Sequence, residues 1–437
     1  MTPVKGIRWF LLALIVIGLL GWIVGGSGLF ARLAYFGIVF MAGAYLWSSL
    51  SMRGIRFTRQ ARLLRASVGD LFEERFEIVN AVRQSCAWLE IDDRSSLPLA
   101  EGSRLLTNLA GRQKRSYTAR TWLTRRGAFP LGPTLLTSGD PFGLFSVQKS
   151  LPAKDVLVVL PMTVRISAFP VPRGLLPGGK AIHQKTMDVT PHAAGVREYV
   201  PGDPMKRIHW PSTAHRQRLM VKEFEQDPQA EIWLFLDAQC AVHSALPHEL
   251  QRLEAGWWMQ RRVHVRLPED SFEYAVSAAA SLARYFLADR RAVGLACAGG
   301  KFTVIPAERG ERQVGKIMET LAFLQAEGDM PLLGLVTMQA KLLPMGSGVI
   351  LITPSVKSNF LLAIENLQRW NLRPVVVLLK SETFGGAEGD ATILEALFKR
   401  NIPLCQIGCG DDLGRALAQP AVYFRQPAIP NPAAYAA

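Results

Sequence analysis

Acidic side chains are in short supply in this chain. Thirty-six Asp and Glu stand against 50 Lys and Arg, a formal charge of +14 at pH 7 over 437 residues. That imbalance suits an anionic membrane, nucleic acid or an acidic partner. Cysteine is scarcer: Cys86, Cys240, Cys297, Cys405 and Cys409 are odd in number, scattered, and mostly set in apolar strand-like runs such as GLACAG and LCQIG. They behave as small hydrophobes and fit a reducing compartment. Cys405 and Cys409 have no second pair or histidine nearby at zinc-site spacing, which argues against a structural zinc. Catalytic signatures are also missing. No Gly-x-Gly-x-x-Gly follows a strand, and there is no Walker loop, Gly-x-Ser-x-Gly elbow or His-Glu-x-x-His. His183, His192, His209, His215, His243, His248 and His264 are not spaced as a ligand set. The expectation is a protein without enzymatic activity or cofactor. His209 and His215 with Asp203 come nearest to an acid and base pair, on an arginine-rich turn of a kind that more often binds or braces.

Long apolar runs, by contrast, are present at once. Trp9 to Val24 and Leu33 to Leu50 are separated by a short Gly-Gly-Ser-Gly linker, and each is close to the roughly 20 residues that cross a bilayer. The reading is a transmembrane hairpin, with the lipid bilayer as partner through residues 9–50. A cleaved signal peptide competes for the first run, but its apolar core is long and the second run follows directly. Lys5 and Arg8 precede the first span, and Arg53, Arg56, Arg59, Arg62 and Arg65 follow the second. Only Arg32 lies near the intervening loop, so both ends are expected to face the cytoplasm. Trp9, Trp22, Trp47, Tyr35 and Tyr45 fall toward the interfaces as aromatic belts, or, for Tyr45 and Trp47, between the two helices. The arginine row is a topological anchor at anionic headgroups, and no nucleic acid is expected.

From Ile55 to about Pro170 the chain alternates and turns. Phe72, Phe76 and Ile78, then Trp88, Leu89 and Ile91, then Tyr117, Ala119, Thr121 and Leu123 alternate with polar residues, predicting a small antiparallel β-sandwich. Arg125-Arg126-Gly127, Leu131-Gly132-Pro133 and Asp140-Pro141-Phe142-Gly143-Leu144-Phe145 follow. Phe142 and Phe145 are expected to plug the sandwich from that last turn. Leu151 to Pro161 reads as a final strand, continuously apolar from Val156 to Leu160 and hence well buried. Phe169 to Lys185, rich in Pro and Gly, reads as an exposed linker.

Val196 to Asp227 then gathers Arg, Lys, His and Glu around a turn, Pro201-Gly202-Asp203, and a lone Trp210. Arg216, Arg218 and Lys222 lie close enough to Glu223 and Glu225 for local pairing. One reading is a structural clasp in which Trp210 fills a core gap and Arg197 or Arg207 bonds carbonyls or Asp203; the other is a partner-binding surface. Beyond Ala230, strands and helices alternate. EIWLFLDA ends in Asp237; Phe272 to Arg290 is helical; AVGLACA and FTVIP are strands; Arg312 to Gln325 is helical. GVILIT, PVVVLL and IPLCQIG are strands separated by the helices Asn359 to Trp370 and Thr392 to Lys399, with Leu413 to Leu417 a short last helix. This predicts a doubly wound, mainly parallel sheet whose site lies at the carboxyl ends of its strands. The helix Gln251 to Arg266, with Trp257-Trp258-Met259, is an amphipathic lid, a partner site or an insertion packed on the sheet.

The residues Arg197, Tyr199, Pro201-Gly202-Asp203, Arg207, Ile208, His209, Trp210, Ala214, Leu219 and Glu223, with the Asp140 to Phe145 string upstream, resemble the domain of unknown function 58 family over nearly the whole chain. The usual Lys and Arg after the Trp are here Pro211 and His215. The resemblance implies a multidomain protein: a two-helix transmembrane hairpin (1–52), an antiparallel β-sandwich (53–168), a linker and signature segment (169–228), an α/β doubly wound von Willebrand factor A-like domain (229–420) and a flexible tail (421–437). It implies a multi-pass inner-membrane protein whose soluble domains face the cytoplasm, an adaptor partnering a MoxR-type AAA+ ATPase in protein complex assembly or maturation. The alternatives are a divalent-ion-dependent ligand receptor and an anionic-lipid or nucleic-acid binder. Domains of the implied type hold their ion with Asp-x-Ser-x-Ser after the first strand and a later Asp. Here Ala238, Gln239, Cys240 and Ala241 follow Asp237 and Pro354 occupies the later position, so Asp237, Thr353 and Ser355 remain only as weak remnants and no metal is expected. Asp237 otherwise caps a helix or bonds loop amides.

Overall fold

A computed structural model describes residues 5–170, 193–201, 205, 208–224, 231–247, 267–344 and 346–419. The turn residues Gly202 and Asp203, Arg207, most of the expected linker, the expected helix over 251–266 and the tail 421–437 lie outside them. The chain divides into two compact units, one of residues 1–163, 247–268 and 318–324 and the other of 164–246, 269–317 and 325–437. Apolar N-terminal helices, several sheets and a later α/β region make it a multidomain protein.

In the first unit, α1 (Lys5–Gly25) and α2 (Gly28–Ser51) are each long and apolar enough to cross a membrane, with mean hydropathies of 2.4 and 1.6. They pack closely because small residues face each other: a Cβ on Gly18 would meet Ala34 N at 3.0 Å, and one on Gly37 would meet Ile15 at 2.6 Å. Ten strands follow: β1 (Ile55–Ala61), β2 (Arg65–Ser67), β3 (Leu71–Asn80), β4 (Cys86–Asp93), β5 (Arg104–Leu109), β6 (Lys114–Trp122), β7 (Gly127–Pro130), β8 (Thr134–Gly139), β9 (Ser146–Leu151) and β10 (Val156–Leu160). Antiparallel sheets β1-β3-β6 and β5-β4-β8-β9 share a core of Phe76, Ile78, Leu89, Ile91, Leu109, Ala119 and Leu136. A third sheet, β2-β10-β7, joins β10 parallel to β2 and antiparallel to β7. It closes a smaller core around Phe72, Leu123, Leu157 and Val159.

Two expectations change here, and one acidic side chain turns inward. The apolar run over β10 is not buried throughout: Val156 is 48% exposed while Leu157 and Val159 are buried, because only one face of that sheet meets a core. Glu74 also points inward. It shares the Arg59 guanidinium with Asp93, the Arg59 Nε to Glu74 bond measuring 2.6 Å and Nη1 to Asp93 2.9 Å, all three side chains being at most 9% exposed. Phe142 does not plug the sandwich. It is 59% exposed, and its ring lies 4.9 Å from that of Phe40 on α2. Leu144 takes the buried position instead, since the carboxylate of buried Asp140 gathers the turn's amides and leaves Phe142 at its apex.

The second unit opens with β11 (Ala193–Glu198), α3 (Trp210–Arg216) and β12 (Met220–Phe224), β11 pairing antiparallel with β12. Phe169, expected in an exposed linker, is buried with its ring edge-on to Phe286, 5.8 Å away: an apolar ring beside an apolar helix face is removed from water despite its proline-rich surroundings. A six-stranded sheet follows from β13 (Ile232–Leu236), β14 (Val293–Ala298), β15 (Phe302–Glu308), β16 (Gly348–Thr353), β17 (Arg373–Leu379) and β18 (Leu404–Ile407). Its order is β15-β14-β13-β16-β17-β18, parallel except for the β15 edge. Its helices are α4 (Ser271–Ala288), α5 (Glu311–Phe323), α6 (Leu332–Gln339), α7 (Asn359–Arg369), α8 (Asp390–Lys399) and α9 (Leu413–Ala418). Side chains of α6, α7 and α8 cover the sheet face carrying Trp233 and Phe235. Strand alternation turns Ile232, Leu234 and Leu236 to the opposite face. Burial on both faces explains why β13, β14 and β16 are apolar throughout. The helix α6 has no counterpart in the sequence reading, since its apolar residues follow no clean helical period.

Candidate functional site

Two places within the second unit gather the residues singled out in the sequence. The first is the strand-end loop after β13. Asp237 is 2% exposed; its Oδ2 accepts from Thr353 Oγ1 at 2.7 Å and its Oδ1 from the Gln239 amide at 3.1 Å. Thr353 Oγ1 in turn accepts from the Ser355 amide at 3.0 Å, and Ser355 Oγ from the Lys357 amide at 3.4 Å. Asp237, Thr353 and Ser355, 116 or more positions apart from first to second in the chain, therefore form one network because parallel β13 and β16 are neighbours in register. Asp237 bonds a loop amide, one of the roles the sequence allowed it. Burial raises its carboxyl above the usual carboxylate range, against the lowering pull of the Thr353 hydrogen bond.

His243 belongs to the same loop, although nothing in the histidine spacing pointed to it. Its Nε2 lies 3.0 Å from the Asp237 carbonyl and its Nδ1 3.0 Å from Ser271 Oγ. A carbonyl only accepts, so Nε2 carries the proton and Nδ1 accepts from the hydroxyl. Burial holds the imidazole below its ordinary pKa, in keeping with that neutral tautomer. Ser271 Oγ also accepts from the Ser244 amide, and Ser271 is fully buried at the start of α4. This Ser and His pair braces the loop and presents no nucleophile to a substrate. The sequence signal for it was weak: a histidine six residues beyond Asp237, and a serine opening the next helix.

Beside the network lies a cleft of about 150 Å³ between the ends of the strands and the starts of α6 and α7. Gln239, Ser355, Lys357 and Asn359 form its polar side, and Leu332, Leu333 and Phe360 its apolar side. An ion placed there would meet a single carboxylate, that of Asp237, already bonded through both oxygens, one hydroxyl, that of Ser355, and the Lys357 cation. Among the described residues no group of three or more His, Cys, Asp or Glu is arranged to hold a metal.

The second place is the signature hairpin. His209 caps α3, its Nδ1 accepting from the Ser212 amide at 3.3 Å, while its own amide donates to Met220 O at 2.7 Å. Tyr199 N donates to Leu219 O at 2.8 Å. Trp210 does not fill a core gap: at the first turn of α3 it is 65% exposed, because α3 is a short helix of seven residues, none of them buried. Val200, Met205 and Leu219 are also exposed, at 57%, 76% and 46%, and among the described side chains of this stretch Ile208, Met220 and Val221 are buried. Arg218 pairs with Glu198 across the hairpin at 2.9 Å, a partner supplied by the pairing of β11 with β12. The side chains of Arg197 and Glu223 lie outside the described residues, as do Asp203 and Arg207.

The family match begins on this hairpin and runs on through β13. The family described as "Protein of unknown function DUF58" matches residues 195–244. The chain is 27% identical over 224 residues to "Uncharacterized protein YeaD" of Bacillus subtilis (strain 168), covering 50% of this chain and 48% of that one. It thus spans about half the length of the curated relative it matches. Among solved structures, proximal thread matrix protein 1 from the mussel byssus is similar with a TM-score of 0.29 and 11% identity, over 44% of this chain and 46% of that one. Pseudomonas fluorescens alkylpurine DNA glycosylase AlkC is similar with a TM-score of 0.13 and 11% identity, over 30% and 41%. Neither score defines a shared fold.

Proposed function

We propose that this chain, a DUF58-family protein by its segment 195–244, is a membrane-anchored interaction protein whose signature hairpin presents an apolar surface to a protein partner. The observation that carries this reading is the exposure of Trp210, Val200, Met205 and Leu219 within the short stretch from β11 to β12. A large aromatic with neighbouring apolar side chains left in water is the composition of an interaction hot spot, and a stable fold has little other use for it. The family resemblance names the partner class, a MoxR-type AAA+ ATPase, and the process, assembly or maturation of protein complexes. A von Willebrand factor A-like reading of the α/β unit is supported by its parallel strands, its antiparallel edge β15 and Asp237 at the end of β13. An inner-membrane location with the soluble units in the cytoplasm is supported by the two apolar helices and by basic residues at both outer ends of the hairpin.

The test is affinity capture from detergent-solubilised membranes of the native host, using wild type and a Val200→Ala, Trp210→Ala double variant. Recovery of a MoxR-type ATPase by wild type alone supports the reading. Equal recovery by both removes the hairpin from it, and recovery by neither removes the ATPase partnership.

A further inference from the structure

The turn between β8 and β9 is built to hold an aromatic apex away from its own core. Asp140, fully buried, accepts from the amides of Phe142 at 2.9 Å, Leu144 at 3.2 Å and Phe145 at 2.5 Å, and its carbonyl accepts from Trp88 Nε1 at 3.1 Å. The apex meets the apolar helices. Phe142 stacks obliquely on Phe40, Phe145 lies edge-on to Tyr45 at 5.6 Å, and Arg8 sits over the Phe145 ring at 4.9 Å while donating to Leu144 O.

The level of that contact follows from helix geometry. Ile15 faces Gly37 and Gly18 faces Ala34, so the antiparallel pairing sets Arg8 and Trp9 opposite Tyr45. Trp9 and Tyr45 are 71% and 63% exposed, as aromatic residues at a headgroup boundary are. Phe40 is five residues from Tyr45 toward the middle of α2, about 7.5 Å deeper at 1.5 Å per residue. Phe142, against Phe40, therefore reaches below the headgroup level into the region of acyl chains, where half of the hydrocarbon core is roughly 15 Å. Basic loops share this end of the sandwich, since the start of β4 pairs with the ends of β5 and β8. The loops beyond β3 and β5 meet the end of α2 through Ala81 N to Gly54 O and Arg112 N to Val82 O, which brings Arg53, Arg83 and Arg112 to this end of the sandwich. All three are exposed, and none takes an acidic partner among the described residues.

We infer that the β-sandwich is seated in the membrane leaflet it adjoins: the 140–145 turn inserts Phe142 among the acyl chains, and Arg53, Arg83 and Arg112 contact the phosphates of anionic phospholipids. This rests on the reading of α1 and α2 as a membrane hairpin. An exposed aromatic apex beside apolar helices, with exposed arginines at the same end of the sandwich, matches the layering of a leaflet in both polarity and charge.

The experiment uses the full chain with Cys240→Ser and Cys409→Ser, reconstituted in nanodiscs of phosphatidylcholine with or without phosphatidylglycerol. A nitroxide is attached through Phe142→Cys, through Pro141→Cys as a second apex position, through Val39→Cys on α2 and through Leu105→Cys on β5. At 142 and 39 dissolved oxygen should relax the label more than an aqueous nickel chelate does, with the order reversed at 105. The label at 142 should lie deeper with phosphatidylglycerol present. Acyl-chain behaviour at 39 with water-like behaviour at 141 and 142 would overturn the seat and leave the hairpin standing. Water-like behaviour at 39 as well would overturn the hairpin and the seat together. Shielding of 142 from both reagents would mean that protein covers it, also against the seat, and equal depth in the two lipids would overturn the anionic contacts.

Discussion

Asp237 illustrates how one buried carboxylate can organise a loop. Asp237→Ala would strand the Thr353 hydroxyl and the Gln239 amide, each costing about 1–3 kcal/mol when left unsatisfied. Asp237→Asn keeps an acceptor for the Gln239 amide and reverses the Thr353 bond, its amide nitrogen donating to the hydroxyl oxygen, so it should cost about 1 kcal/mol. Urea denaturation of the two variants should separate them in that order. His243 supplies a pH dependence of definite sign. Its folded-state pKa lies below its ordinary value of 6.5, so the unfolded chain binds more protons as pH falls below 6.5. Stability is retained above that pH and lost as pH falls toward the folded value. Asp237, raised from 3.8, works in the opposite sense, losing stability as pH rises from 3.8 toward its folded value. His243→Gln should flatten the acid-side slope just below pH 6.5, as read from melting temperature against pH. In the sandwich, Arg59 neutralises one of two buried carboxylates and contacts the Phe76 ring at 5.1 Å. Arg59→Met would leave Glu74 and Asp93 facing each other, and should destabilise by about 3–5 kcal/mol in chemical denaturation.

At the scale of elements, the signature hairpin separates stability from recognition. Met220 and Val221 are 2% exposed and hold β12 in place, whereas Trp210 is mostly in water. Trp210→Ala should therefore change stability by no more than about 0.5 kcal/mol, and Met220→Ala should cost about 2–3 kcal/mol. Paired thermal melts and partner capture would check this: the tryptophan variant should lose binding with an unchanged melt. A fall in stability for Trp210→Ala equal to that for Met220→Ala would mean a packing role. The turn at Asp140 follows related logic, since its carboxylate carries the backbone bonds and leaves Phe142 without a place in the core.

For the whole molecule, α1 and α2, each long and apolar enough to cross a membrane, bear on where the protein is found. Full-length protein should remain with membranes through alkaline carbonate extraction, and a chain shortened to residues 53–437 should move to the supernatant. Release of the full-length protein would refute membrane spanning by α1 and α2. The rest of the chain behaves as multidomain: antiparallel sheets in one unit, and in the other a six-stranded sheet with a single antiparallel edge.

Much of this was legible from local pattern. The apolar runs before Leu50, the alternation of Phe72, Phe76 and Ile78, and the continuous apolar strands at Ile232–Leu236 and Gly348–Thr353 each record one element's surroundings at period two or over an unbroken length. Those patterns determined the elements and the multidomain order by themselves, because burial of an element's own face is written in its own residues. What pairs across the chain was decided only in three dimensions. Thr353 meets Asp237 because β16 lies beside β13; His243 and Ser271 meet because the loop folds back on α4; Glu74 is tolerated inside because Arg59 arrives from a neighbouring strand. Phe142 and Trp210 are the sharpest cases. An aromatic side chain reads as core in any sequence, and whether it finds a core depends on how much apolar surface its small turn or helix can reach, which is a property of the tertiary structure alone.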